Sequence, residues 1–514
     1  MQQNKVQAES IRDGSKFWWG LLGLAGVAAV AGLAVVPGVL PLYPALLFIT
    51  VLWIAAASTA LLPIRVQLMF LWALLPFVDM LKRVAYLDER AGATETYLVL
   101  FTQDIILIII LLKLFLLALR SPLKLYWRNV DTAITLFAAF NLLSTLMSPG
   151  APFVARMATM GMWVWPMVMY YLAAIYFSNT TALARLIRIT VILAGIVALY
   201  GIQQFFVGFL PFETAWLERA TNSANVAHLQ HGASRGVFRT FGTLDSHSSY
   251  GIFLGIGLIV AWADRYRMGR FLWLTVSAVL LFGLILSFTR FTWLMPLLAI
   301  GFIFLFSYSR IRPLFNVKRW RKASLLILGI VGSFFIFYLM MSSLYGRRLV
   351  DTSNPYLVRA LGTGTLEARL HIDSLLTGRS DSLVLGKGLA NTGFFSRKFD
   401  FEPADVNFHN IFVDMVDSTG IVGLTLFLWF LYLLIKQSII NIETQTDQRS
   451  RRQLVAVLAL VLAMVTVGHF NGAVFHFGRA LPAYFWAFCG ILAHFNRPSL
   501  TGGAEEVGDS HRPQ

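Results

Sequence analysis

Apolar runs long enough to cross a bilayer recur along the whole chain, and they constrain its fold more than any other feature. Most are about 17 to 25 residues, the length a helix needs to span the hydrocarbon core. No water is present there to satisfy backbone N–H and C=O groups, so a span must be a helix or part of a closed barrel. A barrel would alternate apolar and polar residues along short strands; these runs do not alternate. With 57% hydrophobic and only 13% charged residues over 514 positions, the chain lacks the polar surface of a soluble domain of its size. The expected fold class is all-α: a polytopic integral membrane protein of about fourteen transmembrane helices with two outer segments.

The spans read as 17–36, 39–62, 66–81, 96–119, 129–147, 153–178, 186–208, 248–263, 271–287, 291–308, 324–344, 409–435, 453–469 and 475–495. The third is short. The first follows a basic start of Lys5, Arg12 and Lys16, in the manner of a signal peptide. Its length, and the second span that follows at once, make it a retained helix. Cys489 is the single cysteine, so no intramolecular disulfide can form.

Charge orients the spans, because basic loops stay in the cytoplasm. An inside N-terminus puts the clusters Arg120/Lys124/Arg128, Arg185/Arg188, Arg265/Arg267/Arg270, Arg310 to Lys322 and Lys436/Arg449/Arg451/Arg452 all inside. The net charge of +16 is then topology and asks for no nucleic-acid partner. The chain divides into a cytoplasmic start (1–16), seven spans (17–208), an outer loop (209–247), four spans (248–344), a large outer loop (345–408), three spans (409–495) and a cytoplasmic disordered tail (496–514). Both termini lie inside.

Function usually sits in loops held by a rigid scaffold, and the polar chemistry of this chain gathers on the outer face. Arg239 lies in Arg239-Thr240-Phe241-Gly242-Thr243 and Arg290 in Ser287-Phe288-Thr289-Arg290. Arg369, His371 and Gly386-Lys387-Gly388 lie in the second outer segment, just before His409-Asn410. An arginine at the lipid boundary needs an anion, either a substrate phosphate or an internal carboxylate, unless it snorkels to headgroups. Its planar fork suits phosphate well. Arg239 reads equally as a loop ion-pair partner; Arg369 reads as an ion-pair partner sooner than a ligand, and Gly386-Lys387-Gly388 as a turn sooner than a phosphate cradle, since it lacks P-loop spacing. His409 stands at a helix start, where N-terminal polarity disfavours an imidazolium; it is either a structural residue or a proton acceptor. Asn410 reads as a cap or orienting group. Asp417, eight residues on, can orient a polar network below the ring. His228, His231 and His247 lack the tight spacing of metal ligands.

Taken in order, Arg239-Thr-Phe-Gly-Thr before a span, Ser287-Phe-Thr-Arg290, Gly386-Lys-Gly388 and His409-Asn410 with Thr419-Gly420-Ile-Val-Gly423 resemble the O-antigen ligase-like superfamily. It takes in O-antigen ligases, polymerases of O-antigens and exopolysaccharides, and protein O-glycosylases. The resemblance covers about residues 185–440. It implies a bacterial inner-membrane protein that uses an undecaprenyl-diphosphate-linked glycan as donor, without a nucleotide sugar. It implies Arg239 and Arg290 on the diphosphate and His409 near the acceptor hydroxyl. Arg369, Lys387 and Asn410 are further candidates for substrate contact. The chain departs from the family where His247-Ser248 replaces a Pro-Asn pair, and at Ser418, where the family often has Glu.

The resulting expectation is a glycosyltransferase with no cofactor, since two guanidiniums can carry the leaving-group charge without a metal. The acceptor is another lipid-linked glycan, for a surface polysaccharide polymerase, or lipid A-core, for a ligase; polysaccharide assembly proteins and membrane lipids are the remaining partners. The departures at His247 and Ser418 tilt the reading to the polymerase. A transporter or lipid flippase would instead show paired halves with broken helices near the midplane, and no such halves stand out. A non-catalytic scaffold in a polysaccharide assembly complex is the other alternative.

Overall fold

The structure, a computed structural model, describes residues 44–89, 93–120, 127–220, 239–308, 383–391, 411–470 and 480–496. The expected spans 17–36 and 324–344 lie outside the described residues, as do Arg369, His409 and Asn410. Every regular element described is helical. Seven helices are long and apolar enough to cross a membrane, and four more are apolar but shorter, at 10–17 residues. Their outward faces are apolar too: Leu112, Phe115, Leu119 and Phe271 are all exposed. Water would penalise such faces and lipid does not, which fits a membrane protein.

The chain forms two compact units, Met1–Lys124 with Val207–Ala227, and Leu125–Phe206 with His228–Gln514. In the first, α1 (Pro44–Ser58), α2 (Ile64–Leu74), α3 (Val78–Val84) and α4 (Ala93–Arg120) pack together. Short 3-10 turns run α2 and α3 into one helical stretch, Ile64–Leu87, of 24 residues. Pro76, which has no N–H to give the helix, sits in the turn between them. The expected span 66–81 stopped at Lys82 and Arg83 because charges end an apolar run. The helix continues because Arg83, fully buried, meets Glu213 at 3.4 Å. Glu213 belongs to α9 (Pro211–Ala220), a helix within the segment 209–247. Its other oxygen accepts from Leu210 N–H at 3.1 Å, closing the helix start behind a proline at the first position. Trp216 lies under the Arg83 guanidinium at 4.9 Å. Losing one partner of such a buried pair typically costs roughly 3–5 kcal/mol.

The second unit holds α5 (Asn129–Leu146), α6 (Phe153–Trp163), α7 (Trp165–Tyr176), α8 (Thr180–Val207), α10 (His247–Ala263), α11 (Arg265–Met268), α12 (Arg270–Leu286), α13 (Arg290–Tyr308), α14 (Ile411–Glu443), α15 (Gln448–Phe470) and α16 (Ala480–His494). The expected span 153–178 runs as α6 and α7, interrupted at Val164 just before Pro166, and together they still form one apolar stretch long enough to cross, Ala155–Tyr176.

Hydrogen bonds sort the helix termini of this unit into two ends. At one, Arg128 before α5 donates to Ala493 O near the close of α16 at 2.7 Å. Asn441, near the close of α14, donates to Leu492 O at 2.6 Å. Ser450 at the start of α15 donates to Thr180 at the start of α8, at 2.9 Å, and Arg449 pairs with Asp264 after α10 at 3.3 Å. Asp447 caps α15: the Ser450 hydroxyl, then the Ser450 and Arg449 amides, hold its carboxyl below the usual carboxylate range. That cap is therefore fully present above the ordinary carboxylate pKa and is lost as pH falls through the lowered value. The opposite ends of α5, α8, α10 and α12, with the starts of α13 and α14, form the other end of the unit.

At that other end α14 is broken. Gly420 has φ 68° and ψ −173°, outside the helical region. A break leaves carbonyls and amides without partners, and the segment 383–388 supplies them. Lys387 N–H donates to Asp417 O at 2.9 Å and Gly388 N–H to Ser418 O at 3.0 Å. In return, Ile421 N–H donates to Leu383 O at 3.0 Å and Val422 N–H to Val384 O at 3.4 Å. Ser144 and Ser148 of the α5 end hold the same loop by accepting from Leu389 N–H at 3.2 Å and Ala390 N–H at 3.1 Å. A Cβ on Gly420 would run into the Val384 carbonyl and the Leu385 nitrogen. Gly420→Val is therefore expected to lower stability by about 1–3 kcal/mol or more. Gly195→Ala, with open space around the added carbon, should not. Thermal unfolding in detergent checks this, and an unchanged midpoint for Gly420→Val would contradict the clasp.

Candidate functional site

Arg239 is set by the residues that follow it. Gly242 adopts φ +56° and lies against the ring of the fully buried Tyr250, so a Cβ there would have no room. The Gln204 side chain, near the end of α8, clamps this turn. Its Oε1 accepts from Phe241 N–H at 3.3 Å and Gly242 N–H at 2.9 Å, and its Nε2 donates to Gly242 O at 3.2 Å. Three bonds from one buried amide satisfy groups that would otherwise be costly. Ser246 then caps α10, accepting from Ser249 N–H at 3.2 Å. Arg239 itself is buried, and its Nη1 lies 2.7 Å from His247 Nε2.

Arg290 opens α13 after the tight turn Ser287-Phe288-Thr289 and is partly buried. The turn is strained, with Phe288 at φ 47°. Its polar groups are tied inward: Ser287 Oγ donates to Leu284 O at 2.7 Å, and Thr292 Oγ1 to Thr289 O at 2.7 Å. An arginine in the first turn of a helix stands against the helix dipole. The guanidinium and the first-turn amides together favour an anion at that point.

The structure brings the two arginine segments together. Thr240 Oγ1 donates to Leu286 O at 3.1 Å, and Leu286 closes α12 just ahead of the turn to Arg290. Lys387 lies at the same end of the unit, against α5 and α14. Its ammonium is 3.7 Å from Asp417, and its backbone belongs to the clasp. Asp417 thus takes Lys387 as its charged neighbour. Of the expected site, Arg239, Arg290 and Lys387 can be located; Ile411, directly after Asn410, is buried. His228 and His231 lie outside the described residues. Among the described residues no three His, Cys, Asp or Glu side chains come together as metal ligands would.

Sequence reasoning missed Gln204 and gave His247 no role beside Arg239. For Gln204 a signal existed: two adjacent glutamines in the last turn of an apolar span are costly unless bonded. For His247 only its closeness in sequence to Arg239 pointed the way. Comparison of the chain with family models, curated proteins and solved structures finds no match.

Proposed function

We propose that the protein is an inner-membrane glycosyltransferase that moves an undecaprenyl-diphosphate-linked glycan to an acceptor hydroxyl in the periplasm. One observation carries the reading most: the segments bearing Arg239 and Arg290 meet through Thr240 and Leu286 at one end of the helical unit. Two arginine-bearing segments that meet at one end of the unit suit a diphosphate, whose oxygens match two planar forks. The chemistry follows. The acceptor oxygen attacks the anomeric carbon, the bond from that carbon to the diphosphate oxygen breaks, and the acceptor proton goes to His409. The two guanidiniums stabilise the charge that grows on the departing lipid diphosphate.

On this reading the Arg128 end, with Arg449 and Arg265, faces the cytoplasm, and the Arg239 end faces the periplasm. About fourteen spans and cytoplasmic termini complete the proposed topology. The preferred acceptor is a second lipid-linked repeat, which makes a polymerase of surface polysaccharide; lipid A-core, which makes a ligase, is the alternative. A transporter would use the break in α14 to bind cargo with half-helix ends. Here those amides and carbonyls are already taken by residues 383–388, which favours the enzyme.

A strain lacking the gene separates the two acceptors. A polymerase predicts that surface glycan falls to single repeats still joined to lipid A-core. A ligase predicts long chains that accumulate on the carrier lipid. Unchanged amount, length and attachment would contradict both.

A further inference from the structure

We propose that His247 is the positioning residue of Arg239: a neutral imidazole whose Nε2 lone pair holds the guanidinium in place. Arg239 Nη1 and His247 Nε2 are 2.7 Å apart. A guanidinium can only donate, so Nε2 must accept and the ring proton must sit on Nδ1. Both side chains are more than nine-tenths buried, at 7% and 6% exposure. The backbone on either side of the contact is already fixed. Gln204 clamps the turn after Arg239, and Ser246 caps the helix that His247 begins. What remains free is the long arginine side chain, and the imidazole fixes that.

Arg239 Nε is buried with no hydrogen-bond partner among the described residues. A buried donor without an acceptor is a cost that an incoming anion can remove. The fixed guanidinium thus keeps donor capacity for a phosphate oxygen while His247 takes one N–H. Protonation of Nε2 would turn the acceptor into a donor and set two cations side by side, ending the contact. Burial and contact alone carry this role for His247; its consequence for substrate rests on the reading of Arg239 as a ligand of lipid diphosphate.

The test uses the purified full-length protein with His247→Gln, His247→Asn, His247→Leu and Arg239→Ala. Glutamine places an amide oxygen near the position of Nε2; asparagine is equally polar but too short to reach. The first readout is modification of Arg239 by phenylglyoxal, followed by peptide mass spectrometry. Wild type and His247→Gln should react slowly, and His247→Asn and His247→Leu several-fold faster. The second is binding of undecaprenyl diphosphate. His247→Asn and His247→Leu should weaken it about tenfold, the worth of one charge-assisted hydrogen bond, and His247→Gln should hold it near wild type. Equal labelling in all the His247 proteins would overturn the proposal, as would a natively melting His247→Gln that behaves like His247→Leu. If labelling follows the expected order but binding is unchanged even in Arg239→Ala, the positioning role stands and the diphosphate reading of Arg239 fails.

Discussion

The His409→Ala protein should fold, reach the membrane and transfer glycan about 10²–10⁴-fold more slowly than wild type, the usual effect of removing one general base. The expectation rests on place and chemistry. His409 stands two residues before α14, whose first residue, Ile411, is buried. The described start of α14 belongs to the end where Arg239, Arg290 and Lys387 lie, and the histidine just ahead of it in sequence is proposed as the base. A hydroxyl attacking an anomeric carbon must lose its proton as the bond forms, and an imidazole is the side chain best suited to take it near neutral pH. Asn410→Ala should cost far less, as the loss of a cap or an orienting group. Near-wild-type turnover by His409→Ala at matched protein level would leave the residue structural.

Arg290→Lys should lose most transfer although it keeps the charge, by roughly 10²–10³, the scale of losing one electrostatic stabiliser of a transition state. Lysine is a compact point charge and cannot replace a bidentate fork. The placement of Arg290 at the start of α13, where the helix dipole already favours an anion, makes the fork's geometry matter more than its charge. Arg239→Ala should fall as far. Assay at matched expression checks both, and normal transfer by Arg290→Lys would mean that the residue merely snorkels.

The helices were legible because apolar length is a local property. Helices such as α5, α10, α12 and α13 begin and end within a residue or two of the expected spans. What was illegible depends on partners far away in sequence. Arg83 looked like the end of a span because its neutraliser, Glu213, is 130 residues on. The helix α9 was hidden by its own charges, Glu213, Glu218 and Arg219, which lower the apolar signal. Gly420 read as part of a motif, yet its φ of 68° makes sense only with residues 383–388 laid into the break. The Arg239 and Arg290 segments were expected at one face, and the bond from Thr240 to Leu286 joins them. The clamp by Gln204 and the contact with His247 are side-chain hydrogen bonds, which no periodicity records.

The most direct measurement is transfer by the purified protein in liposomes, with one lipid-linked oligosaccharide as both donor and acceptor and neither nucleotide sugar nor divalent cation added. One undecaprenyl diphosphate should be released for each new glycosidic bond, and chains should lengthen in step. If the oligosaccharide instead crosses the bilayer with its diphosphate linkage intact and no lipid diphosphate appears, the protein moves lipid rather than making bonds, and the account is wrong.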